Sequence, residues 1–64
     1  MFELGDIVIT KSYSYLVISL AEGFGLLCLD NVKLMITADD LQTLTKSIEF
    51  ETILKDFDVN IRRN

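Results

Sequence analysis

The chain predicts a mainly β fold: a small barrel or bent antiparallel sheet of four to five strands, with a short helical turn near 38–45 and an ambiguous helix at 48–56. Three observations carry this. Half of the 64 residues are hydrophobic, and they crowd between positions 16 and 36. They fall into short runs rich in β-branched and aromatic residues. The breaks between the runs carry Gly, Asp and Asn, the residues of tight turns. No proline, repeat or linker interrupts the chain, so residues 1–64 read as a single domain.

The elements follow in order. Gly5-Asp6 marks a turn, and Ile7-Val8-Ile9 is a short β-branched strand. Residues 13–20 form the clearest strand, with Leu16, Ile18 and Leu20 on one face and Tyr13, Tyr15, Val17 and Ser19 on the other. We expect the first face in the core together with Leu27 and Leu29. The second face is then free for a dimer seam, a partner or a ligand. A turn over residues 21–25 leads to a third strand at 24–29. Asp30-Asn31 then suits a two-residue hairpin into a fourth strand at 32–37, in which Val32, Leu34 and Ile36 alternate with polar or exposed positions. Thr37, followed three residues later by Asp40, reads as a weak capping box ahead of Leu41 and Leu44 at helical spacing.

Residues 48–56 satisfy two periodicities. Ser47 as a cap, with Phe50, Ile53, Leu54 and Phe57 on one face, favours a helix, our preferred reading. Ile48, Phe50 and Thr52 also alternate with acids as a strand does. The alternation of Phe57, Val59 and Ile61 predicts a closing strand. The opening Phe2-Glu3-Leu4-Gly5-Asp6-Ile7-Val8, followed by Tyr15-Leu16-Val17-Ile18, resembles the start of SH3-like small β-barrels over about 45 residues. The resemblance implies a fold type and no activity.

Size argues for self-association. A chain of this mass exposes roughly 4,200 Å² folded against roughly 10,600 Å² unfolded. Burial then contributes on the order of 95 kcal/mol, and chain ordering at about 1.5 kcal/mol per residue costs nearly the same. A monomer is marginal on these terms, so a homo-oligomer, most simply a homodimer, is expected.

Composition excludes several classes of function. There is no histidine, hence no histidine base or histidine-bound metal, and a single Cys28 allows no internal disulfide. Asp39 and Asp40 are sequence neighbours, which on a helix do not face each other and make no acid/base pair. Gly23-Phe24-Gly25 lacks the Lys-Ser/Thr of a phosphate loop. No enzyme, metal or cofactor is expected. The net charge of −4 opposes duplex nucleic acid. The stretch 12–29 carries only Glu22 as a charge and is long enough for a membrane span. Its two central glycines beside that acid read instead as a turn. No signal peptide is visible, and a lone cysteine suits a reducing compartment, so a cytoplasmic location is expected.

The remaining function is binding. The candidate surface is Tyr13, Tyr15, Val17 and Phe24, with Lys33, Arg62 and Arg63 as cations. The first expectation is a small regulator or inhibitor, of the kind phages encode, that docks on a protein partner through an apolar patch with an acidic rim. The alternative is an oligomeric sponge for a nucleotide-like ligand, with aromatics on the base and cations on phosphate.

Overall fold

The computed structural model describes residues 1–55. Alternating apolar runs become five strands: β1 (Ile7–Ile9), β2 (Ser14–Leu20), β3 (Gly23–Cys28), β4 (Lys33–Ala38) and β5 (Thr52–Leu54), with the helix α1 (Leu41–Lys46) between β4 and β5. The strands form one antiparallel sheet in the order β4-β3-β2-β1-β5, which does not close. The expected bent sheet of five strands with one short helix is therefore present. The long β2 holds the sheet together, pairing with β1 through residues 14–16 and with β3 through residues 15–20. The predicted closing strand after position 56, and Arg62 and Arg63, lie outside the described residues.

Turn chemistry sets the connections. Leu20 pairs with Gly23, so Ala21 and Glu22 alone make the β2–β3 hairpin. Gly23 has φ +129°, and a side chain there would collide with the Ala38 carbonyl oxygen on β4. The β3–β4 turn takes four residues rather than the expected two, since Cys28 pairs with Lys33. It places the β-branched Val32 at φ 55°, a left-handed conformation that such residues rarely adopt.

Two expectations about the second half are corrected. The helix cap is Asp40, not Thr37: its backbone is extended and its Oδ1 accepts from the Thr43 N–H at 2.7 Å. Ser47 ends this helix instead of starting another, its hydroxyl donating to the Leu44 carbonyl at 2.6 Å. The preferred helix at 48–56 is absent from the described residues: the Glu51 N–H donates to the Ile9 carbonyl at 2.8 Å, and residues 52–54 pair with β1. Cross-strand partners on β1 outweighed the local helical periodicity.

The core is a further correction. Val8, Tyr15, Val17, Leu26 and Cys28 line the buried face, closed over by Phe2 and by Leu44 of α1. Leu41 packs against the same cluster, and the Phe2 N–H donates to Thr45 Oγ1 at 2.7 Å, fastening the N-terminal segment to the helix. The expected core residues Leu16, Ile18, Leu20 and Leu27 sit half-buried on the opposite face, and Leu29 is exposed in a turn. Tyr15 and Val17 are interior, not a free surface. The reason lies on β3. Its residues opposite Ile18 and Leu20 are Gly25 and Gly23, which fill no interior, whereas Leu26 and Cys28 opposite Val17 and Tyr15 do.

The outer face nonetheless carries a row of aliphatic residues across all five strands, Leu54–Ile7–Leu16–Leu27–Leu34, each opposite the next. A β-bulge makes the last pair possible. Leu26 faces Ile36 while Leu27 faces Leu34, so Met35 is the extra residue and the predicted regular alternation of β4 breaks there. Leu34 thus turns outward, 46% exposed, while Ile36 packs on the core.

Candidate functional site

One charged group is built into the interior. Asp6 is 1% exposed, and its Oδ2 accepts from the Glu3 N–H and from Lys55 Nζ, each at 2.9 Å. Its carbonyl accepts from the Val17 N–H at 3.0 Å, tying the Gly5-Asp6 corner to β2. Glu3 adds a longer contact to the same lysine at 3.4 Å. The hydrogen bond that Lys55 donates to Asp6, ahead of the Asp6 charge and of Glu3, holds the Lys55 ammonium above its ordinary pKa. No buried side-chain polar atom among the described residues lacks a partner, so the cluster reads as a structural clamp between the N-terminal corner and the end of β5.

The open chemistry lies at the other end of β1. A cleft of about 440 Å³ runs between the β1–β2 turn, residues 10–13 with Tyr15, and the segment 48–51 that enters β5. The turn wall is held by Thr10. Its hydroxyl donates to the Tyr13 carbonyl at 2.8 Å and accepts from the Ser12 and Tyr13 N–H groups at 3.2 and 3.0 Å. The first residue of β2 is fixed to the β3–β4 turn by the Ser14 N–H donating to Asp30 Oδ2 at 3.1 Å. The wall is therefore preorganised, which lowers the ordering cost of binding.

The aromatics that line the cleft are placed by packing. Tyr13 meets Tyr15 edge-on, centroids 6.5 Å apart at 72°, so a buried ring supports an exposed one. Phe50 leans on the buried Phe2 at 5.2 Å and keeps its own ring 38% exposed. Tyr13 is 45% exposed. Burial, and then Cys28, Tyr13 and Asp30, push the Tyr15 phenol above its ordinary value. The charged residues of the cleft are Lys11 on one wall and Glu49 and Glu51 on the other, a net negative lining.

Of the candidate residues, the structure brings together Tyr13 and Tyr15. Val17 is sealed in the core at 1% exposure. Phe24 packs on the core beside Ser19, four residues along β2 from Tyr15. Lys33 stands on the edge strand opposite Cys28 and is not in the cleft lining. Phe50, Glu49 and Glu51 were missed. Their signal was the alternation of apolar residues with acids around Phe50, which fits the extended segment found here.

Among the described residues no three metal-ligating side chains gather. No helix among them is long and apolar enough to cross a membrane. Comparison of the chain with protein-family models, curated proteins and solved structures finds no significant match to any of the three.

Proposed function

We propose that this chain is a small non-enzymatic binding protein that regulates or inhibits a protein partner, docking through the aromatic cleft between the β1–β2 turn and residues 48–51. The observation that carries the reading is the exposure of Tyr13 and Phe50 beside Glu49 and Glu51, an apolar patch with an acidic rim. Exposed aromatic faces and carboxylates together favour a basic segment of the partner, through cation–π contact and charge-assisted hydrogen bonds. The same carboxylates repel phosphate, which weighs against the nucleotide sponge. The meander of β1 to β4, with β5 returning beside β1 after a helical turn, supports reading the sheet as an open SH3-like barrel. The buried free Cys28 fits a reducing compartment such as the cytoplasm.

The test is a calorimetric titration with short peptides carrying paired Lys or Arg, and with the same peptides bearing Glu at those positions. Basic peptides are expected to bind, and Tyr13→Ala to weaken them about tenfold, as expected for an exposed aromatic anchor. Glu49→Gln with Glu51→Gln should flatten the salt dependence of binding. Indifference to peptide charge overturns the reading, as does a nucleotide that raises the melting temperature.

A further inference from the structure

We propose that the chain supplies an occupant for its own cleft: residues 56–64 fold back along the free edge of β5 and seat Arg62 between Tyr13 and the acidic wall. The proposal rests on the reading of the cleft as a site for a basic segment, and it adds a built-in competitor. Sequence reasoning places Arg62 and Arg63 in the lining, as cations for phosphate. The cleft in the structure carries Glu49 and Glu51 against Lys11 alone, so its lining calls for a cation instead of offering one. Arg62-Arg63 is the one pair of adjacent basic residues in the sequence.

Where β5 ends decides the path. Lys55 is fastened to Asp6 and Glu3, at the end of β1 away from the cleft. The chain after it must therefore double back to reach Tyr13. β5 has β1 on one side and, among the described residues, no strand on the other. A hairpin on that free edge is the shortest return, and a short loop costs the least entropy to close. From Leu54 back to Glu49 is five residues, and from Phe57 on to Arg62 is five as well. A two-residue turn at 55–56 thus sets Arg62 level with Glu49, and a four-residue turn sets it level with Glu51.

Both turns also assign the faces. Directly opposite residues of an antiparallel pair share a face. Leu54 is on the outer face opposite Ile7, where the aliphatic row ends, and Ile53 packs on the core. Phe57, Val59 and Ile61 then join the outer row, with Phe57 or Val59 beside Leu54. Asp58, Asn60 and Arg62 take the inner side, the side of Val8 and Tyr15 on which the cleft opens. A turn of odd length would send the three apolar side chains to the rim of a face that Phe2 and Leu44 already close. It would also carry Arg62 to the aliphatic face, away from the tyrosines.

NMR of the full chain is the test. Cross-peaks are expected between Arg62 side-chain protons and the Tyr13 ring, and between Phe57 or Val59 and the Leu54 methyls. They should keep their strength on dilution, as contacts within one chain do. Phe57→Ser with Val59→Ser removes the apolar anchor and leaves the net charge at −4. It should abolish the cross-peaks and tighten binding of a peptide with paired Lys by about threefold or more, because a site occupied from within is open only part of the time. Arg62→Gln should tighten it too, and Arg62→Lys should not. Missing cross-peaks overturn the proposal. So does peptide binding that ignores the Phe57 and Val59 changes. Cross-peaks that join different chains in an isotope-mixed sample overturn it as well, by making a second copy the occupant. If no basic peptide binds any of these chains while the cross-peaks persist, the docking reading fails and the seated segment stands.

Discussion

Leu26 and Leu27 are chemically identical neighbours on β3, yet they belong to different molecules in the energetic sense. Leu26 is fully buried between Val17 and Ile36, under the lid of Phe2 and Leu44. Leu27 lies between Leu16 and Leu34 on the outer face, only half-buried. The difference teaches that hydrophobic identity places a residue on a strand, while what crosses over that strand decides its worth. The sharpest way to break this comparison is to truncate both. Leu26→Ala leaves a cavity in a closed core and should cost about 3–4 kcal/mol. Leu27→Ala removes side-chain area already half in water, with no cavity to form, and should cost about 1 kcal/mol. Urea denaturation of the two variants side by side measures the gap, and equal costs would mean that the outer face is covered too.

The periodicity of β2 announced two apolar faces, and the order of four strands and a short helix in the first 45 residues followed from local chemistry, although the β3–β4 turn, the β4 bulge and the helix cap did not. Which face was interior was not decidable on β2 alone, where Leu16, Ile18 and Leu20 are as greasy as Tyr15 and Val17. The information sat on β3, in the glycines at 23 and 25, and became usable only with the register. The segment around Phe50 failed for a related reason: its strand partner, Ile9, lies some forty residues away, where no local window reaches. Half of the candidate site, the tyrosine pair, was legible because aromatics at i and i+2 share a strand face. The acidic half was not.

The inner face also holds a charge, and removing it probes how far the closed side depends on apolar contact alone. Asp6→Ala deletes the acceptor for the Glu3 N–H and for Lys55, and leaves a gap beside the corner that joins β2. Hydrogen bonds to ionised groups carry about 1.5–3 kcal/mol, so a loss of about 2 kcal/mol is expected by chemical denaturation. A loss below about 0.5 kcal/mol would move the clamp from the inner face to the solvated rim.

Proton linkage gives a second way to separate the faces. The Tyr15 phenol and the Lys55 ammonium both titrate above their ordinary values of 10.0 and 10.5. In each case the folded state holds its proton more tightly than the unfolded chain. Their contribution is therefore complete below those values and is lost as pH rises through the folded pKa. Asp40 runs the other way. Hydrogen bonds from Thr43, the backbone one first, hold its carboxyl below 3.8, so its share is present above that value and is lost as pH falls through the lowered pKa. Urea midpoints should form a plateau between these limits. Tyr15→Phe should remove part of the alkaline fall and none of the acid one, and an unchanged alkaline limb would place the Tyr15 hydroxyl in water.

The smallest expected effect lies where the outer face meets the open edge. Val32, 73% exposed, contributes almost no burial and is held at φ 55° by the four-residue turn. A left-handed conformation costs an ordinary L-residue roughly 1–2 kcal/mol, and asparagine adopts it more readily than a β-branched residue. Val32→Asn should therefore stabilise the fold by about 0.5 kcal/mol, the reverse sign of every core truncation. Thermal melting reads this as a higher melting temperature than that of the parent chain. If the substitution instead lowered stability, Val32 would be packing against something, and the outer edge would be less open than its exposure indicates.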